Sequence, residues 1–298
     1  MTLCIAAECE HEGSPAIVLC CDWRAQTTES VSGFEVGRDD ARKLREIGSW
    51  SILVSGNPDD AKDLIAKCKK SIKDFSEKEV DPDSSDVAIS ELQTQLRLAA
   101  ESRKHEIVSH YVAMYYGKPY DEFLRATRPE NVTDFHNDIW EGIKRLHLGT
   151  DLLICGFCRD TPVIINLDAL GHAAWLDNYG VVGDGWQHAR TMLCLQPWNS
   201  FGAQDVSGPF HPVPLEHCIY RVFEAKQAAH IANPQKVGEA ITIQILINRK
   251  GRFGVDWEFL EYMSDLFKEK HKVPEALRLK ERKLKREILA DWTLRYEK

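Results

Sequence analysis

Thr2 is the residue whose type and place most directly suggest chemistry. Removal of Met1, for which threonine is small enough, would leave it with a hydroxyl and a free α-amine, a nucleophile and its own base on one residue. Asp22 and Arg24 follow at the end of the apolar run Ile17 to Arg24, then Lys43, then Gly56 just ahead of a helix start. A hydroxyl, an amine, a carboxylate, two cations and a backbone turn together could carry acyl transfer. Other suggestive spacings fail on geometry. His105 and His110 lie five positions apart, about 140° around a helix and off a common face, so they do not make a zinc pair. Cys155 and Cys158 lie on a strand with their side chains on opposite faces, and no second pair stands at zinc-site spacing. No metal and no cofactor is expected.

Those residues need elements to hold them. Thr2 to Ala7 and Ile17 to Arg24 read as strands, and Ser51 to Ser55 as a buried strand. Asn57 is then a helix N-cap, Pro58 suits the first helical position, and Asp59 and Asp60 favour the positive dipole end. The helix from Pro58 carries Leu64, Ile65, Cys68 and Ile72 on one face. Ser76 to Asp86 is polar, acidic and interrupted by Pro82, a loop. Val87 to Tyr116 reads as a second helix, and about 118–148 as a mainly helical insertion with Tyr120, Phe123, Phe135, Ile139, Trp140 and Ile143. Strands return at Leu152 and Val163, helices at Gly185 to Leu195 and Leu215 to His230, and a strand at Ala240 to Ile247. The last stretch, 258–298, spaces Leu277, Leu284, Ile288 and Trp292 as one narrow helical stripe. Its basic excess reads as a solvated helix that packs on a neighbouring subunit rather than an RNA contact.

The chain has 298 residues, 43% hydrophobic and 28% charged, enough for an enzyme-sized globular unit. A formal charge of -8 argues against a protein that wraps nucleic acid, which needs a concentrated basic face. No apolar run approaches the roughly 20 residues that span a bilayer, and the start lacks a secretory pattern, so no membrane and a cytoplasmic location are expected. Nine cysteines, an odd number with Cys20 and Cys21 adjacent in a strand, read as reduced core thiols rather than a disulfide framework. The acceptor pattern Asn131-Val132-Thr133 would then stay unmodified.

The order of these features resembles the catalytic β-type subunits of proteasomes and their bacterial relatives, the N-terminal nucleophile hydrolases. Thr2, a hairpin, the strand ending Asp22-Trp23-Arg24, the strand Ala41 to Ile47 bearing Lys43, and Ile52 to Ala61 with its Gly56 turn match that family's succession. A second block, Asp151 to Gly156, Pro162 to Asp168 and Tyr179 to Gly185, is similar to its second sheet and glycine loop. The resemblance implies an α+β fold, a four-layer αββα sandwich over 1–257, to which the insertion and the C-terminal extension are additions. It also implies roles. The α-amine of Thr2 would act as base, Lys43 would supply a positive charge that favours its neutral form, Asp22 would hold Lys43, and Arg24 would orient Asp22. The N–H of Gly56 would face the oxyanion, a donor typically worth roughly 2.7 to 4 kcal/mol. Ala25, Ala41, Arg45, Val54 and Pro58 would line the substrate pocket, where Arg45 favours an acidic or polar group.

Two positions depart from the family's pattern. Asp184 stands where a serine is common, in Gly183-Asp184-Gly185, and a carboxylate there could bind the α-amine but would raise its pKa. In Asn233 to Gly238 a further aspartate and serine are missing, with Asn233 as a remaining hydrogen-bonding group. The expected activity is hydrolysis of amide bonds in peptides or proteins by a homo-oligomeric ring, with an ATPase partner left open. A non-catalytic scaffold subunit and a small-molecule amidase on the same fold are the alternatives.

Overall fold

The computed structural model describes residues 3–22, 43–77, 84–127, 133–195 and 213–270. Strands β1 (Leu3–His11) and β2 (Ser14–Asp22) form an antiparallel hairpin in register from Cys4 opposite Cys21 to His11 opposite Ser14. Glu12 and Gly13 join them, both at positive φ (51° and 76°), the turn whose twist matches a two-residue hairpin. Most residues of the pair are buried, on both faces of each strand. That is why they read as continuous apolar runs rather than as alternation.

After β3 (Leu44–Ile47) and β4 (Trp50–Gly56) come helices α1 (Pro58–Glu77), α2 (Ser85–Tyr116), α3 (Tyr120–Ala126) and α4 (Asp134–Lys144). Strands β5 (Thr150–Cys158), β6 (Thr161–Leu167), β7 (Ala173–Leu176) and β8 (Tyr179–Gly183) follow, then α5 (Trp186–Cys194), α6 (Leu215–Ala232), β9 (Ile241–Ile247), β10 (Gly251–Gly254) and α7 (Trp257–Lys270). The strands make two antiparallel five-stranded sheets, one in the order β10-β9-β2-β1-β8 and the other β3-β4-β5-β6-β7. The chain is therefore a mixed α/β protein.

Alternation along the strands decides what each sheet face covers. Cys4, Ala6, Ile17, Leu19, Cys21, Val182 and Leu246 of the first sheet meet Leu53, Leu153, Cys155 and Ile164 of the second in one buried cluster, so the sheets pack face to face. On the far side of the second sheet, Trp50, Ile52, Val54, Leu152 and Ile154 pack with Leu64, Cys68 and Ile72 of α1 and Ile89, Leu92 and Leu96 of α2. Helix α6 lies on β1 and β2, and α5 packs on α6. The side chains of Cys155 and Cys158 fall in different clusters, on opposite faces of β5 as their spacing requires.

Helix α1 begins as its sequence dictates: Asn57 Oδ1 accepts the N–H of Asp59 at 2.9 Å, and Asp59 and Asp60 fill the first turn. The polar stretch from Ser76 is shorter than its composition suggests, since α1 runs through Glu77 and α2 starts at Ser85. Helix α2, at 32 residues, is about 48 Å long and outruns the sheet it covers. Its second half therefore builds a satellite core, in which Val108 and Val112 pack on Phe123 of α3 and Ile139 of α4.

The chain divides into two compact units at Val255 and Asp256. In the second, α7 is capped by Asp256, whose Oδ1 accepts the N–H of Phe259 at 2.8 Å, and Leu260, Met263 and Phe267 make its buried stripe. Among the described residues no helix is long and apolar enough to cross a membrane.

Candidate functional site

The last residue of β2 is Asp22, and its carboxylate is 1% exposed. Isolated, such a charge would cost several kcal/mol to bury, so its partners matter. Oδ1 accepts the N–H of Leu3 at 3.0 Å and the Nζ of Lys43 at 2.6 Å, while Oδ2 accepts the N–H of Gly238 at 2.8 Å. The three donors come from the start of β1, the entry to β3 and the segment between α6 and β9. Asp22 thus ties the first sheet to the second through a charge-assisted bond.

Lys43 is held by its backbone as well. Its carbonyl accepts the N–H of Val54 at 2.7 Å, which extends the β3–β4 pairing by one residue. Its side chain is only 10% exposed. Cys4 Sγ donates to the Val54 carbonyl at 3.3 Å, so the start of β1 and the end of β4 meet across the two sheets. Two residues beyond Val54 stands Gly56, at φ 105°. A Cβ there would lie 2.4 Å from the carbonyl oxygen of Gly149, so neither conformation nor space admits another residue. The N–H of Asn57 completes this junction by donating to the same Gly149 carbonyl at 2.9 Å.

On its other edge β1 pairs with β8, Leu3 opposite Gly183. Asp184 follows and is exposed, and Gly185 turns back against the protein. A Cβ on Gly185 would come within 2.6 Å of Val237 Cγ2, 3.3 Å of Ala229 Cβ and 3.6 Å of Leu3 Cδ1. The Gly183-Asp184-Gly185 turn is therefore seated on Leu3, α6 and the 233–238 segment.

Asp22, Lys43 and Val54 are thus in one place, with Gly56 at the end of the same strand and Asp184 on the opposite flank of Leu3. Arg45 lies on β3 opposite Ile52, half-buried, and Pro58 is the exposed first residue of α1. Thr2, Arg24, Ala25 and Ala41 lie outside the described residues.

Sequence reasoning missed two kinds of participant. Gly238 contributes only its backbone N–H, which has no side-chain signature. Lys226, on α6, is fully buried. Its signal was available: Leu215, Ile219, Val222, Lys226 and Ala229 recur at helical spacing, which puts a lysine on the buried stripe. Burial lowers its pKa, and the nearby Cys20, Asp22 and Glu239 push it back up. The cysteines around the site are poor nucleophiles: burial raises Cys4 and Cys20, and pushes Cys21 up to about 12.

Comparison with protein-family models gives no match, and comparison with curated proteins gives none either.

Proposed function

We propose that the protein is a threonine-type N-terminal nucleophile hydrolase that cleaves amide bonds, in peptides or proteins, after loss of Met1. The observation that carries this reading is the double engagement of Asp22. One buried carboxylate oxygen holds both the Lys43 ammonium and the N–H of Leu3, the residue joined directly to Thr2. A cation is thereby fixed beside the place where β1 begins, whereas an ordinary strand-end ion pair has no reason to grip the first peptide of a strand as well. The two facing sheets, with α1 and α2 against one and α6 against the other, are what a four-layer αββα sandwich of this class requires.

In this reading the Thr2 hydroxyl attacks the substrate carbonyl and its proton passes to the α-amine, kept neutral by the positive field of Lys43. The tetrahedral oxyanion lies at the turn that Gly56 makes before α1. Its N–H and the positive end of the helix favour negative charge there. The proton then goes to the departing amine as the C–N bond breaks. Water, deprotonated by the same amine, hydrolyses the ester and restores Thr2.

A scaffold role is the second reading. Asp184 favours it, since a carboxylate beside the start of β1 would hold the α-amine protonated and weaken the base. The two are separated by intact mass before and after exposure to an epoxyketone probe, which needs both the hydroxyl and the amine of a terminal threonine. A chain without Met1 that gains one probe mass, lost in Thr2→Ala, establishes the nucleophile. A chain that retains Met1 and gains no mass establishes the scaffold. Turnover of simple amides with none of peptides would point to a small-molecule amidase.

A further inference from the structure

Helix α6 carries two polar side chains on the face it turns toward the end of the first sheet, Lys226 and His230, four positions apart and so one above the other. Lys226 Nζ donates to the carbonyl of Glu239. His230 Nδ1 lies 2.8 Å from the carbonyl of Val237, and because a carbonyl can only accept, that nitrogen carries a proton. These two carbonyls belong to the residues on either side of Gly238, whose N–H meets Asp22 Oδ2 at 2.8 Å. Val237 is fully buried and packs under the Gly183-Asp184-Gly185 turn.

We propose that Lys226 and His230 are positioning residues of the Asp22–Lys43 site, clamping the carbonyls that flank Gly238 so that its N–H is aimed at Asp22. The clamp itself is independent of any reaction; its effect on turnover rests on the hydrolase reading above.

The choice of a lysine supports this. A neutral donor would satisfy a carbonyl without the penalty of burying a charge. Lys226, however, is fully buried on α6, where burial lowers its pKa and the charge of Asp22 opposes that, while Lys43 approaches Asp22 from the second sheet. Asp22 thus receives the Lys43 ammonium and two backbone N–H groups, while Lys226 fixes the Glu239 carbonyl next to the Gly238 donor. A carboxylate so enclosed keeps one orientation, and Lys43 keeps one position with it. The backbone carbonyl of Asn233 completes the arrangement by accepting the N–H groups of Lys236 and Val237 at 3.1 and 3.0 Å, which shapes the turn leading to Gly238.

The test uses the full chain labelled with 15N-glycine and compares Lys226→Met, His230→Leu and His230→Asn with the wild type. Asparagine can place a donor where Nδ1 stands, and leucine cannot. The Gly238 amide resonance, shifted by its bond to a carboxylate, should move in Lys226→Met and His230→Leu and return in His230→Asn, with other glycine resonances in place. The rate of labelling by the epoxyketone probe should fall on the order of tenfold in the first two and recover in the third, the low end of the scale seen for outer-shell partners of metal ligands. A buried lysine that served only as filler would leave both readouts unmoved on replacement by methionine, and that result overturns the clamp. A resonance that moves while labelling stays at the wild-type rate removes the positioning role. Wild-type protein that never labels, with Gly238 still responding, keeps the clamp and refutes the hydrolase reading. Should Lys226→Met fail to fold, the His230 pair decides on the same criteria.

Discussion

At Asp22, three donors converge on a carboxylate with almost no contact with water. Removing it takes a 2.6 Å partner from the buried Lys43 ammonium and the acceptor from two N–H groups, so Asp22→Ala should cost about 3–5 kcal/mol in urea unfolding and abolish probe labelling. The opposite case is Glu8, on β1, where burial first and the Asp177 carboxylate second push the pKa up to about 7. Its folded pKa exceeds the unfolded value, so the folded state holds the proton more tightly. Stability is then fully present below about pH 4.5 and is lost as pH rises toward 7 and beyond. Glu8→Gln should remove that dependence and gain about 2–3 kcal/mol at pH 8, read from unfolding midpoints across pH. Gly56→Ala should cost about 2–3 kcal/mol, because the new Cβ meets the Gly149 carbonyl at a φ of 105°. Asp22 and Lys43 were legible in the sequence because charged residues at the ends of apolar strands stand out. Gly238 and the contact of Lys226 with Glu239 were not, because each depends on a backbone group brought in from a distant turn.

Among the elements, legibility followed locality. The start of α1 is written in four adjacent residues, Asn57 to Asp60, and forms as they specify. The strands β7 and β10, four residues each and only partly buried, have too little periodicity to be seen, and only pairing with β6 and β9 makes them strands. The segment 118–148 reads as mainly helical and holds α3 and α4. Its purpose as a separate core under the second half of α2 emerges only from packing. That separation has a measurable outcome. Phe123, fully buried, anchors α3 against Val108 and Val112, and Phe123→Ala should cost about 3–5 kcal/mol locally. Hydrogen exchange should then accelerate in α3 and α4 while the amides of β1, β2 and β5 keep their protection.

Over the whole sandwich, the two sheets are joined by an apolar layer with a polar fastening at each end of the β3–β4 hairpin. Lys43 and Asp22 make one. Arg252 of β10 makes the other, donating to the carbonyls of Gly48 and Trp50 and to Ser51 Oγ, and pairing with Glu46. Arg252→Met should cost about 1–2 kcal/mol in thermal or urea unfolding, since the part-buried Trp50 carbonyl and Ser51 Oγ lose their donor, yet leave probe labelling at the wild-type rate. The β1–β2 hairpin also offers an experimental handle. The Glu12-Gly13 turn stands at the opposite end of β1 and β2 from Asp22, about 30 Å along two paired strands, and open space surrounds Gly13. A reporter peptide or a spin label grafted there would ride on the same two strands as Leu3 and Asp22 without reaching them. Distances measured from that point would then register whatever docks at the other end.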